Sequence, residues 1–148
     1  MKHDNEVKWI LTKKELSSEE ILTVEKKLDI SFPSDFVECA KLNNGGQPVP
    51  DTFDLQGRRG AVFNALLSLN IDESRNILSV YENIKTRLPR NIYPFADDPF
   101  GNYLCFDYRD STSPVVVFWD HEHADNGQAA ALSYVCNSFS QLLNKLYE

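Results

Sequence analysis

The run Val115-Val116-Val117-Phe118-Trp119 constrains this chain most. It is the longest uninterrupted apolar stretch in the sequence. Every position is β-branched or aromatic, which is the strongest strand signal in the chain. Its five residues are far too few to cross a membrane. Strand signals lie on both sides of it. Ile92-Tyr93-Pro94-Phe95 predicts a short strand that Pro94 places at an edge or an end. Asp97-Asp98-Pro99-Phe100-Gly101-Asn102 predicts a turn, since Asp, Pro, Gly and Asn each suit one of its backbone conformations. Tyr103 to Tyr108 is the next strand, Arg109 to Pro114 the next turn, and Leu132-Ser133-Tyr134-Val135 a further strand. Ala61 to Leu69 reads as a strand with an irregular end, after a loop or edge segment around Phe53-Asp54-Leu55 that Pro48, Pro50 and Gly57 punctuate.

Helical patterns surround this meander. Ser17-Ser18-Glu19-Glu20 forms a capping box, and Ile21, Val24 and Leu28 follow at helical spacing. Pro33 can start a second helix, with Ser34 and Asp35 in its first turn and Phe36, Val37, Ala40 and Leu42 on its buried face. Asn43-Asn44-Gly45-Gly46 stops it, because Asn and Gly accept the left-handed conformation common at helix ends. Ile77, Val80, Tyr81 and Ile84 predict a third helix over roughly 73–87. Ser138 caps a last one with Phe139, Leu142, Leu143 and Leu146 on its apolar face. Lys8-Trp9-Ile10 is a short element that the pattern does not place. The order predicts an α+β fold, an antiparallel β-sheet meander flanked by N-terminal, middle and C-terminal helices, in a single domain over 1–148.

Three cysteines, Cys39, Cys105 and Cys136, lack metal or redox spacing. Each sits among apolar residues, so each reads as a packed thiol. Met1 to Glu6 is polar with no apolar core behind it, so we expect no signal peptide and a cytoplasmic protein.

Leu28-x-Ile30-x-Phe32-Pro33-x-Asp35-Phe36, then Asn43-Asn44-Gly45-Gly46, resembles the signature of the SUKH superfamily, the Smi/Knr-like proteins. Asp98-Pro99-Phe100-Gly101-Asn102-Tyr103-Leu104-Cys105-Phe106-Asp107 and Ser138-Phe139-Ser140-Gln141-Leu142-Leu143 resemble its later motifs, in the right order. The resemblance covers about residues 17–146. Asp29 departs from the Gly common at its position, and Asp also tolerates turn conformations. The resemblance implies a SUKH-like fold and a protein-binding role without catalysis or cofactor. Many bacterial members are immunity proteins that neutralise a polymorphic toxin, and fungal members are intracellular interaction scaffolds.

The charge is placed to suit a binding role. The chain carries −7, and residues 97–148 hold 8 Asp+Glu against 2 Lys+Arg. An acidic balance argues against a nucleic-acid binder. Between 97 and 125 the carboxylates are Asp97, Asp98, Asp107, Asp110, Asp120, Glu122 and Asp125, with Arg109 the one base. The intervening strands are apolar, so the acids fall at turns and strand ends. If those turns converge, they make a negative rim that attracts a basic partner such as a nuclease-type toxin domain. The plainer reading is that charged turns keep a sheet soluble; the resemblance favours binding. Tyr103, Tyr108 and Trp119, if exposed, are candidate anchors for the contact.

Two catalytic readings compete with binding. If the strand continues past Trp119, His121 and His123 share one face and, with Asp125, could hold zinc in a metal-dependent hydrolase. The simpler reading is a polar loop after a buried strand, with no metal. Asp97-Asp98 could be paired acid–base carboxylates, but adjacent aspartates before Pro-Phe-Gly-Asn are better turn formers. Gly45-Gly46 and Gly57-Arg58-Arg59-Gly60 lack the spacing of phosphate-binding loops.

Overall fold

The computed structural model describes residues 6–126 and 131–148; of Asp125 and Asn126 it describes the backbone alone. Helix α1 (Ser18–Leu28) opens on the expected capping box: the Glu20 N–H donates to Ser17 Oγ at 3.1 Å, and the Ser17 N–H to Glu20 Oε1 at 2.9 Å. It buries Ile21, Val24 and Leu28 and stops where Asp29 turns left-handed, at φ 58°. Asp therefore does at this position what Gly does elsewhere.

Helix α2 (Ser34–Asn43) starts after Pro33 and buries Phe36 and Ala40. Leu42 is exposed, contrary to expectation, because it falls off the Phe36–Ala40 stripe. At the helix stop, Gly45 takes φ +69°, and a Cβ on Gly46 would lie 2.8 Å from Thr12 and 2.9 Å from the Asn43 carbonyl. Asn44 is buried. It donates from Nδ2 to Ser68 Oγ at 3.0 Å and accepts at Oδ1 from the Leu69 N–H at 2.9 Å, tying the end of α2 to the chain entering α3.

Lys8-Trp9-Ile10, unplaced by pattern, is β1 (Lys8–Ile10), antiparallel to β2 (Gln47–Val49). A hairpin follows from β3 (Thr52–Leu55) and β4 (Arg58–Val62). The expected strand over 61–69 is divided between β4 and β5 (Ala65–Leu66). The division falls at Asn64, where both the backbone N–H and the side-chain amide bind Asp97 and carry the chain onto another sheet. Helix α3 (Ile77–Ile84) is shorter than expected, because Asn76 caps it at Ser79; Lys85–Arg87 continues as a 3-10 turn.

The main sheet is an antiparallel meander in the order β5, β6 (Ile92–Asp97), β7 (Tyr103–Asp107), β8 (Val115–Trp119), β9 (Leu132–Cys136). Helix α4 (Phe139–Lys145) closes the chain and is capped by Ser138. Leu104, Phe106, Val116 and Phe118 share one face of the sheet, because side chains alternate along each strand. On that face Phe36 of α2 packs against Phe106 at 5.1 Å and Phe139 of α4 at 5.3 Å, and Phe53 of β3 reaches Phe118 at 6.1 Å. Tyr103 and Trp119 lie on the opposite face, where Arg75 and Arg87, before and after α3, cover their rings. The α+β expectation therefore holds, with the segment around Phe53-Asp54-Leu55, read as a loop or edge, supplying strand β3 of a hairpin.

Candidate functional site

Alternate turns of an antiparallel meander emerge at opposite ends of the sheet, and this divides the acidic residues. Asp97 pairs with Tyr103, and Tyr103 with Trp119, so the 97–102 turn and the segment after Trp119 share one end. Asp107 pairs with Val115, so Asp107 and Asp110 belong to the other. The separation along β7 is about 13 Å at the usual rise of a strand. The acids therefore do not converge on a single rim.

At the first end, much of the charge is directed inward. Asp98 is 6% exposed. Its Oδ1 accepts from the backbone N–H of Phe100 and of Asn102, both at 2.8 Å, and its Oδ2 from Asn102 Nδ2 at 2.9 Å. That is the turn-forming role read from the sequence. Asp97 accepts from Asn64 Nδ2 and the Ala65 N–H, and faces the Arg75 guanidinium at 3.3 Å. Asn102 Oδ1 in turn accepts from the His121 N–H at 3.0 Å.

The strand does not continue through the histidines. His121–Asn126 is a 3-10 turn, because Asp120 Oδ1 accepts from the Glu122 N–H and the Asp120 carbonyl from the His123 N–H. His121 and His123 consequently do different work. His121 Nε2 donates to the Phe100 carbonyl at 2.9 Å, and His123 faces the Asp120 carboxylate at 3.7 Å. The zinc reading loses its premise of two imidazoles on one strand face, and Asp125's side chain lies outside the described residues. Among the described residues no group of three or more His, Cys, Asp and Glu is placed to hold a metal ion.

Two of the expected anchors are not exposed. Tyr103 is 8% and Trp119 1% exposed. They stack with ring centroids 6.1 Å apart, and Arg75 donates to the Tyr103 hydroxyl at 3.0 Å. A strand made wholly of large apolar residues is buried on both faces, which the one-sided reading of Trp119 as an anchor overlooked. Tyr108 is half-buried, and its hydroxyl donates to the Ser31 carbonyl at 2.8 Å.

The sequence reading missed Phe100, which is 66% exposed. The turn that carries it is held on all sides: by Asp98 within, by His121 across, and by Arg87, which donates to the His121 carbonyl at 2.8 Å. Gly101, at φ +90°, lies under the His121 ring, and a Cβ there would approach the ring to 3.3 Å. A large apolar side chain is thus projected into solvent from a braced backbone, on a turn bonded to His121, between Asp120 and the exposed Glu122 in the chain. The available signal was Phe in the middle of an Asp-Pro-x-Gly-Asn turn, where nothing in the turn geometry requires an aromatic residue.

At the second end Asp107 is itself partnered. Arg109 donates to it from Nε and Nη2, at 3.0 and 2.8 Å, and from its backbone N–H at 2.9 Å. Burial pushes the Asp107 carboxyl up, but these hydrogen bonds and the Arg109 charge outweigh it and hold it below its ordinary value. Asp110 is exposed. The thiols match the packed reading: burial pushes Cys39 and Cys136 up to about 11 and Cys105 higher still. No described helix is long and apolar enough to cross a membrane.

No curated protein matches the chain closely enough to serve as a relative. The model of the SMI1/KNR4 family (SUKH-1) matches residues 15–145. That span runs from just before the Ser17 cap to the last residue of α4, and takes in both the Asn44-Gly45-Gly46 stop and the Asp98–Asn102 turn. With nearly the whole described fold inside the match, the chain belongs to the SMI1/KNR4 family (SUKH-1).

Proposed function

We propose that this protein is a cytoplasmic immunity protein that binds and neutralises a basic, nuclease-type toxin domain. Family membership is consistent with an immunity role. The observation that carries the reading is Phe100, projected from a braced turn next to Asp120 and Glu122. An aromatic carried on a braced backbone loses little backbone freedom on binding, which suits an interface anchor. Exposed carboxylates around it would speed encounter with a surface built to hold phosphates. Asp97 and Asp98 support the turn on which this surface stands, while Glu122, Asp120 and Phe100 meet the partner.

The test is co-expression and co-purification with a toxin domain encoded beside this gene. Growth should be restored, the pair should elute together, and the affinity should fall as salt rises. An affinity unchanged between low and high salt would remove the electrostatic part. A toxin that stays active beside a folded immunity protein would remove the whole reading.

A further inference from the structure

The second end of the sheet holds a groove of about 590 Å³, lined among others by Glu25, Asp29, Ser31, Asn91, Tyr93 and Tyr108. Its wall is aromatic. Tyr93 lies 5.2 Å from Tyr81 and 5.8 Å from Tyr108 between ring centroids. Tyr93 is 8% exposed as a residue, but its hydroxyl is not sealed from solvent and bonds no described group. A hydroxyl with solvent access and no protein partner, on a residue that lines a groove, has capacity for a ligand.

The groove is also negative. Glu25 and Asp29 lie on it against one ammonium, Lys26. Both carboxylates come from the C-terminal end of α1, whose dipole favours cations. Burial, Tyr81 and Asp29 raise the Tyr93 phenol above its ordinary value; burial, Glu25 and Tyr93 raise that of Tyr108. Glu25 Oε2 already accepts from the Phe32 N–H at 2.7 Å, which fixes that carboxylate at the groove.

We propose that this groove binds the guanidinium of an arginine side chain presented by a protein partner. A planar, weakly hydrated cation can lie against tyrosine rings and spread its donors over the Tyr93 hydroxyl and the Asp29 and Glu25 carboxylates. An ammonium is a compact, strongly hydrated charge and fits an aromatic wall less well. The inference rests on the reading that the partner is a basic protein, and adds a second contact at the far end of the sheet from Phe100.

The test titrates the isotope-labelled full chain with acetyl-Gly-Arg-Gly-amide and follows backbone amide shifts. Saturable shifts are expected at Ser31, Asn91, Tyr93 and Thr112. The citrulline tripeptide, a neutral isostere, should bind at least tenfold more weakly, and the lysine tripeptide at least threefold more weakly. Tyr93→Phe, which keeps the ring packing, and Asp29→Asn, which keeps tolerance of the left-handed turn, should each weaken the arginine peptide at least threefold. Absent shifts, equal binding of citrulline or lysine, or indifference to both substitutions overturns the proposal. Agmatine binding more tightly than the arginine peptide would overturn the protein source in favour of a free small molecule. No toxin is present in this assay, so a negative result here leaves the Phe100 surface standing. Loss of toxin binding in Phe100→Ala, conversely, leaves the groove's affinity for arginine unchanged.

Discussion

The two ends of the five-stranded sheet both carry acids, and they use them differently. At the Phe100 end, Asp98 is buried and spends both oxygens on one turn, while Glu122 faces solvent and Asp120 stays partly accessible. At the groove end, Asp107 is locked to Arg109, Asp110 faces solvent, and an unpartnered tyrosine hydroxyl lies in a groove. The difference teaches that formal charge does not locate a surface. A carboxylate that accepts two or three internal hydrogen bonds is a structural element, and only those left over can act at a distance.

The largest effect that would break this comparison is on Asp98. Asp98→Ala removes three hydrogen bonds and leaves the buried N–H and Nδ2 of Asn102 without their acceptor, so stability should fall by about 2–4 kcal/mol. Urea denaturation measures it; a loss below about 1 kcal/mol would mean the turn is held without its carboxylate. Phe100→Ala should leave stability within about 0.5 kcal/mol of the parent, since the ring packs against little. Toxin affinity should nevertheless fall by about 2 kcal/mol, roughly thirtyfold, measured by calorimetry. An unchanged affinity would remove Phe100 as the anchor.

Asp107→Asn should cost about 1 kcal/mol near neutral pH. Because Asp107 is held below its ordinary value, its contribution is present above the unfolded-state value of about 4 and is lost as pH falls through the folded one. The gap between parent and variant in urea midpoint should therefore close on acidification. A gap independent of pH would show that the Arg109 pair contributes packing rather than charge.

The smallest effect sharpens the comparison itself. Glu122→Lys should slow toxin association about threefold at low salt, and Asp110→Lys, at the other end, by less. Equal slowing would mean that the partner senses net charge and not one end of the sheet.

Local signals in the sequence were sufficient where a side chain acts within a few residues of itself. The Ser17–Glu20 box, the start of α2 at Pro33, the Ser138 cap and the Asp98 turn all follow from nearest-neighbour chemistry, and the structure contains each. The strand at Val115–Trp119 followed from composition alone. Where pattern failed, a distant partner decided. Nothing near Asn64 announces that Asp97 will divide the 61–69 strand, and nothing near Lys8 announces β2. The histidines left the strand because Asp120 turned the chain locally and Asn102 and Phe100 held His121 from across the sheet.

The sequence by itself determined the family motifs, the order of the four helices and of the strands from Ile92 onward, and the excess of acid in the last third of the chain. These depend on residue type and short spacing. Only the tertiary structure decided which acids face solvent, which aromatics are buried, and that Phe100 and the tyrosine groove lie at opposite ends. The physical reason is the alternation of an antiparallel meander: consecutive turns, neighbours in sequence, must emerge a full strand length apart.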